Sequence, residues 1–435
     1  MELTVKKTRG LAGVVKAPPS KSYTHRAIMV AGLASGVSRI RDPLLSADPL
    51  ASVDAVRAAG AKVEIADGDD HGDVEGDLLI TGTGGRVNAP NSLVDVRNSG
   101  TTIRIMATVF SLCDQVVTLT GDESIRKRPM QPILSALEQL GVRTTATFER
   151  APLSVRGPIK PGECNILGDV SSQFISGLLM TLPLLDGDSA INVTTELRSK
   201  PYIDLTLDVM ERFGVSVEKE DGAYRKFNIK GNQKYKAADY TVEGDYSGAA
   251  FLLGAAALTD SDVTVENLFA SSRQGDKKIV SILKSMGAKV KASGNSIHVV
   301  GSGQDELDGI DIDLSQTPDL LPIVAVLGAA AKGVTRIFNV EHARIKECDR
   351  IAAMAQGLKA MGADVEEKQD GLVIQGGKPL KGARINTFKD HRIIMAFAVA
   401  GMLAGGETVI EDAEHVDVSF PHFVEAMKTL GAKFS

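Results

Sequence analysis

The chain has no tryptophan, and aromatic residues make up only 4% of its 435 positions. Single-stranded nucleic acid is usually gripped by stacking on aromatic rings, and this sequence offers little to build such a platform. An excess of positive charge is missing too. Lys and Arg number 49 against 55 Asp and Glu, which gives a net charge of −6 and a pI near 5.8 and excludes an extended phosphate-backbone surface. Cysteine is scarce: Cys113, Cys164 and Cys348 are too few and too far apart for a disulfide framework or a zinc knuckle. A reducing compartment and no metal are therefore expected. No apolar run is long and uninterrupted enough to span a bilayer, and no signal peptide precedes the first strand-like run, ELTVKK, so a cytoplasmic protein without a membrane partner is expected.

What is present is a pattern that occurs six times. In PPSKSYTHRAIMVAGLA, Pro18 to Ala34, the residues Ser20, Lys21 and Ser22 stand just ahead of an apolar run, as hydroxyls do when they cap a helix N-terminus. Helix starts favour negative charge. Lys21, with Arg26 further on, therefore reads either as a surface lysine on a capped helix or as a cation that helps the helix end hold an anion. Polar residues open apolar runs again at Asn98-Ser99-Gly100-Thr101, Ser171-Ser172-Gln173, Asp245-Tyr246-Ser247, Pro318-Asp319 and Asp390-His391-Arg392. Each run leads into a short strand-like segment: SRIRD, QVVTLT, AINVTT, DVTVEN, GVTRIFN and ETVIED. A second helix follows and ends on an apolar residue and a glycine, as at Ala59-Gly60 and Leu140-Gly141, the place of a left-handed C-cap. The first helix of each unit is apolar nearly all round and is expected to be buried. The second is amphipathic, as in VSILKSMGAKV, and is expected to face water.

A period of about 75 residues is longer than that of solenoid repeats, so each copy is expected to be a small α/β unit of its own. A chain of 435 residues also exceeds what one core accommodates. The last unit stops at the stub GAKFS, short of strands, while Met1 to Ala17 carries spare ones. The N-terminal strands are therefore expected to complete the last unit, putting residues 1–17 and 237–435 in one domain and 18–236 in the other. The chain is expected to cross at Lys16 to Pro19 and again in the polar stretch KGNQKYKAADY. The glycine cluster GTGGR, Gly82 to Arg86, lacks the strand-to-helix context of a dinucleotide loop and reads as a surface turn. The run DGDDHGD, Asp67 to Asp73, has carboxylates at calcium-like spacing but no glycine or closing glutamate in register, and reads as a solvated hairpin.

Pooled, the helix openings supply Lys21, Ser22, Arg26, Ser99, Thr101, Arg104, Ser171, Ser172, Gln173, Asp319, His391 and Arg392. If the buried helices point their N-termini at one cleft, dipoles and cations together select a small, multiply anionic ligand. Two more cation-rich stretches, SIRKRPM with Arg126, Lys127 and Arg128, and ARIKECDR with Arg344, Lys346, Glu347 and Arg350, read either as solvated faces or as parts of that site. Asp319 and Glu347 stand out among these cations as proton-transfer candidates, because a carboxylate beside arginines stays ionised and suits a base. Asp319 has a second reading as the cap of a helix begun by Pro318.

At these residues the sequence resembles the enolpyruvyl transferases, in particular the branch that acts on shikimate 3-phosphate. The resemblance rests on PPSKSYTHR, RNSGTTIR, the KRP of SIRKRP, SSQFISG, LRSKPYID, PDLLP, RIKECDR and FKDHR in that order, and it covers nearly the whole chain. It implies an α/β fold of two domains, each of three βαβαββ units in an inside-out α/β barrel, with the catalytic cleft between them. It also implies the reaction, in which the 5-hydroxyl of shikimate 3-phosphate attacks phosphoenolpyruvate and a tetrahedral intermediate expels phosphate. No cofactor, metal or nucleic acid takes part, and a monomer is expected. Matched position by position, Lys21 serves both substrates, and Ser22 and Arg26 meet the shikimate carboxylate. Ser171, Ser172, Ser199 and Lys346 hold the 3-phosphate, with Gln173 and Tyr202 nearby. Arg128, Arg350 and Arg392 clamp phosphoenolpyruvate, and Gly100, Thr101 and Arg104 line its pocket. Asp319 matches the residue that deprotonates the reacting hydroxyl, and Glu347 the one that moves a proton on and off the methylene carbon.

The sequence departs from the family pattern at two places. Val418 stands where many members carry a lysine against phosphoenolpyruvate, leaving one cation fewer, for which Lys389 is a candidate substitute. His342 stands where many have asparagine beside the shikimate phosphate. The related UDP-N-acetylglucosamine transferases differ at Ser20-Lys21-Ser22, where they read SKN, and carry a loop cysteine that this chain lacks near SIRKRPM. The resemblance also implies sensitivity to glyphosate, favoured by Gly100 and reduced by Val418. The anionic substrates are expected to draw the two domains together.

Overall fold

The computed structural model describes residues 1–66, 76–220, 224–303 and 306–435, so the acidic run from Asp67 to Asp73 lies outside the described residues. The chain forms two compact bodies: a continuous one, Pro19–Val242, and a composite one made of Met1–Pro18 and Glu243–Ser435. Each has its own apolar core.

Buried and surface helices alternate along the chain. In the continuous body α1 (Lys21–Leu33), α3 (Gly100–Val109) and α5 (Ser172–Thr181) are the buried helices, and α2 (Ala47–Ala58), α4 (Gln131–Gln139) and α6 (Pro201–Arg212) present one face to water. In the composite body α7 (Tyr246–Leu258), α9 (Leu321–Ala330) and α11 (His391–Leu403) take the buried role, and α8 (Lys278–Ser285), α10 (Arg350–Ala360) and α12 (Phe423–Thr429) the outer one. All thirteen residues of α7 are buried. Side-chain caps hold most of the buried starts: Ser20, Ser99, Ser171, Asp245 and Asp390 each accept a backbone N–H of the helix they open. α9 differs, since Pro318–Leu320 winds into it as a 3-10 turn without a side-chain cap. The glycines that end the outer helices all have positive φ, from 82° at Gly214 to 107° at Gly60, as the left-handed cap requires.

The strands form six four-stranded sheets among the described residues, one per unit. In the continuous body these are β14 (Asp239–Thr241), β3 (Val37–Arg41), β5 (Asp77–Thr81) and β4 (Lys62–Ala66); β6 (Val94–Asp95), β7 (Val116–Thr120), β9 (Arg150–Arg156) and β8 (Arg143–Thr147); and β10 (Glu163–Ile166), β11 (Ser189–Val193), β13 (Lys226–Ile229) and β12 (Glu218–Lys219). In the composite body they are β2 (Ala12–Lys16), β15 (Asp260–Glu266), β17 (Ser296–Ser302) and β16 (Lys289–Ser293); β18 (Asp311–Asp313), β19 (Val334–Phe338), β21 (Gly371–Gln375) and β20 (Asp364–Lys368); and β22 (Arg384–Ile385), β23 (Thr408–Ile410), β1 (Leu3–Lys6) and β24 (Lys433–Phe434). In each, the outermost strand runs parallel to its neighbour and the other pairings are antiparallel.

This topology corrects one expectation. Of the N-terminal strands, β1 does enter the last sheet, between β23 and β24, but β2 pairs in parallel with β15 of the fourth. The sixth sheet already has its parallel outer strand in β22 and lacks only a central one; the fourth lacks the outer one. The first sheet has the same deficit, met by β14, which pairs with β3 and carries the chain past the polar stretch Lys230–Tyr240 before it leaves the continuous body at Val242. The glycine cluster turns at Gly84 and Gly85, and its backbone satisfies the end of α1: Thr83 N donates to Gly32 O at 2.8 Å and Gly84 N to Ala34 O at 3.0 Å. Cys113 lies just past the 3-10 turn Phe110–Leu112 that follows α3, and is buried.

Small residues set how closely the buried helices approach. A Cβ built on Gly357 of α10 would stand 2.1 Å from the Phe397 ring of α11, which is itself fully buried. Gly357→Ala is therefore expected to destabilise the composite body by about 1–3 kcal/mol through overpacking, read as a lowered urea midpoint at unchanged slope. An unchanged midpoint would mean that the ring yields at no cost.

Candidate active site

In the continuous body the openings of the three buried helices are tied together by side chains. Lys21 is the first residue of α1, and its Nζ lies 3.0 Å from Asp48 Oδ2 in the first turn of α2, with side chains 13% and 8% exposed. Burial works against the charge on Asp48, but Lys21 beside it, with His25 and Ser99, outweighs burial and holds the carboxyl below the usual range. His25 is buried, and its Nδ1 is 2.7 Å from Ser52 Oγ. Burial lowers its pKa, so the ring is neutral at pH 7.

Arg26 is 1% exposed and, among the described residues, has no carboxylate against it. Its guanidinium donates to Thr206 Oγ1 at 2.9 Å, Ser22 O at 2.9 Å and Tyr202 O at 3.1 Å, and sits 5.8 Å from the Tyr202 ring centroid. Burial lowers its pKa to about 10, the mark of a cation whose counter-charge is missing.

At the next opening, Arg104 Nη1 donates to Gln173 Oε1 at 2.9 Å and to Ser171 Oγ at 3.3 Å. Gln173 Nε2 returns a hydrogen bond to Thr101 Oγ1 at 2.9 Å, so α3 and α5 share one polar cluster. Arg128 reaches the start of α3 from the loop before α4. A Cβ on Gly100 would stand 2.4 Å from Arg128 Nη1, so the absent side chain makes room for that guanidinium. Ser172 and Ser199 are both buried near this end, Ser199 with a left-handed backbone at φ 57° immediately before the turn into α6.

The composite body has a denser cluster, built around Arg350 at the start of α10. Its Nε donates to Asp390 Oδ2 at 2.7 Å, Nη1 to Asp319 Oδ1 at 2.7 Å and Nη2 to Glu347 Oε2 at 2.6 Å. Arg392 Nη2 donates to the other Asp319 oxygen at 3.1 Å. Burial favours the neutral form of Asp319, but Arg392, Lys346 and Arg350 overcome it and hold the carboxyl well below its ordinary value. Asp319 therefore behaves as the arginine-paired carboxylate of its two sequence readings, within the 3-10 turn that leads into α9. Asp390 does two jobs, capping α11 through Arg392 N at 2.9 Å and pairing with Arg350.

Asp276 is the counter-example among these acids. It is buried and accepts from Ser247 Oγ at the start of α7; burial, with the charge of Asp319, pushes its pKa up to about 7. His342 is buried in the turn Glu341–Ile345, Val418 ends the turn Ala413–Val418, and Lys389 is exposed with φ 57°.

The structure thus brings Lys21, Ser22, Arg26, Gly100, Thr101, Arg104, Arg128, Ser171, Ser172, Gln173, Ser199 and Tyr202 into the continuous body, and Asp319, Lys346, Glu347, Arg350 and Arg392 into the composite one. Reading the sequence gave no role to Asp48, Asp276 or the pairing of Asp390. Asp390 was detectable as the acid before an apolar run; Asp48 and Asp276 carry no local signal, since their partners lie 27 and 29 positions away at Lys21 and Ser247. Among the described residues no group of three or more His, Cys, Asp or Glu is arranged to hold a metal, and no helix is long and apolar enough to cross a membrane.

Six repeated α/β units with arginines and carboxylates at the helix openings form the architecture of an enolpyruvyl transferase. Comparison with known proteins narrows this. The family model described as EPSP synthase (3-phosphoshikimate 1-carboxyvinyltransferase) matches residues 5–427. A 3-phosphoshikimate 1-carboxyvinyltransferase of Methanocaldococcus jannaschii is 51% identical over 99% of this chain and 98% of its own length. One from Methanococcus maripaludis strain C5 is 48% identical over 99% of each. An EPSP synthase structure from Acinetobacter baumannii superposes with a TM-score of 0.82 at 29% identity, covering 100% of this chain and 99% of that one. The chain belongs to the EPSP synthase family.

The buried acid at Asp276 makes stability depend on pH with a definite sign. The folded protein keeps a proton there that the unfolded chain releases above about pH 4, so this group's contribution is full below about pH 4 and is lost as pH rises towards about 7. Asp276→Asn is expected to gain stability relative to the wild type between about pH 4.5 and about pH 8, measured by urea unfolding at both values. A difference that stays constant over that range would show that Asp276 is ionised in the folded state.

Proposed function

We propose that this chain transfers the enolpyruvyl group of phosphoenolpyruvate to the 5-hydroxyl of shikimate 3-phosphate, releasing phosphate through a tetrahedral intermediate, as a cytoplasmic, monomeric enzyme of the shikimate pathway to chorismate and the aromatic amino acids. The observation that carries this reading is the Asp319 carboxylate held ionised between Arg350 and Arg392, with Glu347 on the Arg350 guanidinium, in a chain that matches its family over residues 5–427.

In this reading Asp319 takes the proton of the attacking hydroxyl, and Glu347 delivers a proton to the methylene carbon and later removes one. Arg128, Arg350 and Arg392 hold phosphoenolpyruvate, with Gly100, Thr101, Arg104 and Gln173 around it. Lys21 touches both substrates, Ser22 and Arg26 meet the shikimate carboxylate, and Ser171, Ser172, Ser199 and Lys346 hold its phosphate beside Gln173 and Tyr202. Arg26 suits its part because a buried guanidinium without a carboxylate is stabilised by an incoming anion. The wider logic is electrostatic. Two highly anionic substrates repel each other, so the cations must offset that repulsion before orientation accelerates the chemistry. No cofactor enters, and the partners are the two small molecules, without nucleic acid.

The direct test is phosphate release from phosphoenolpyruvate with shikimate 3-phosphate as acceptor and UDP-N-acetylglucosamine in a parallel reaction. Release with the first acceptor alone is expected; release with neither, or only with the second, overturns the reading. Asp319→Asn is expected to lower kcat by about 10²–10⁴-fold. Gly100→Ala is expected to leave the unfolding midpoint nearly unchanged, since only the end of a flexible arginine must move, while the KM for phosphoenolpyruvate rises as Arg128 is displaced. Glyphosate binding is expected to weaken in the same variant.

A further inference from the structure

Lys21 sits where a cation is least welcome, on the first turn of a buried helix whose free N–H groups already carry partial positive charge. Asp48 offsets this, and it does so from a different helix, with Nζ to Oδ2 at 3.0 Å and both side chains nearly buried. Ser99, the residue that caps α3, lies beside this carboxylate and favours its charged form. Behind Ser99 the hydroxyls continue: Ser99 Oγ is 2.6 Å from Thr102 Oγ1, Thr102 Oγ1 is 2.7 Å from Ser52 Oγ, and Ser52 Oγ is 2.7 Å from His25 Nδ1.

The four side chains form one hydrogen-bonded run, with His25 at one end and the cap of α3 at the other. His25 Nε2 lies 3.6 Å from Asp48 Oδ1, too long for a hydrogen bond, so this run begins close to the carboxylate that holds Lys21. Three elements take part: α1 through Lys21 and His25, α2 through Asp48 and Ser52, and α3 through Ser99 and Thr102.

We propose that Asp48 is the positioning residue for Lys21, anchoring its ammonium at the opening of α1, while the adjacent run of His25, Ser52, Thr102 and Ser99 ties α1 and α2 to the opening of α3 where Gly100 and Thr101 lie. This role rests on the reading that Lys21 contacts the substrates. It has a consequence that mere charge does not share. Removing a negative charge beside an anion site by itself strengthens anion binding, whereas removing the anchor of the binding lysine weakens it.

The experiment is a double-mutant cycle on shikimate 3-phosphate affinity, measured by titration calorimetry for wild type, Asp48→Asn, Lys21→Met and the double variant. Affinity is expected to fall about tenfold or more in Asp48→Asn, and not to fall further when the same change is made in Lys21→Met. Affinity in Asp48→Asn equal to or tighter than wild type, or the same fall in both backgrounds, overturns the positioning role. Lys21→Met with wild-type affinity removes Lys21 from the substrate site, and phosphate release by the wild type then shows separately whether the reaction itself stands. Should Asp48→Asn not fold, Lys21→Arg reads the same geometry. It keeps the charge but not the compact ammonium, so affinity is expected to drop, and unchanged affinity overturns the proposal.

Discussion

Charge taken out of water has to be met by charge or by hydrogen bonds, and that requirement organises the openings of the buried helices. Each solution differs. Lys21 is met by Asp48, and Arg350 by the three carboxylates of Asp390, Asp319 and Glu347. Arg26 is met, among the described residues, by two carbonyls, a hydroxyl and an aromatic ring, and its lowered pKa records the difference. Asp276 takes the remaining course for a buried acid and holds its proton. Charges fixed by partners in this way are the kind of preorganisation that electrostatic catalysis needs.

The repeat makes this arrangement available twice. A helix start inside a protein must satisfy its free N–H groups, and Ser or Asp caps do so at five of the six buried helices. The exception, α9, starts through a proline turn instead, which leaves the carboxylate of Asp319 for Arg350 and Arg392. Structural economy and chemistry are thus served by the same positions. A cap that is released from its helix becomes a candidate base.

Strand exchange between units explains how chain ends and crossings are accommodated. The second, third and fifth units form their sheets from their own strands, whereas the first, fourth and sixth complete theirs with strands from elsewhere in the chain. The continuous body closes with β14, and the composite body with β1 and β2. Because β1 and β2 belong to different sheets, the first seventeen residues tie the beginning of the composite body to its end.

By itself the sequence determined the sixfold α/β pattern, the burial of the first helix in each unit and the capping residues, because these depend on local spacing, and Pro18 to Ala34 states the rule for all six. It determined, through the ordered motifs, the family and the set of candidate site residues. It left Asp319 open between cap and base and assigned β2 to the wrong sheet. It gave no sign of Asp48 or Asp276. Those were decided only by tertiary structure, since an ion pair, a proton held by burial and a strand's partner are properties of residues far apart in the chain. Lys21 announces that a cation is present; only the packing of α2 against α1 supplies the carboxylate that aims it.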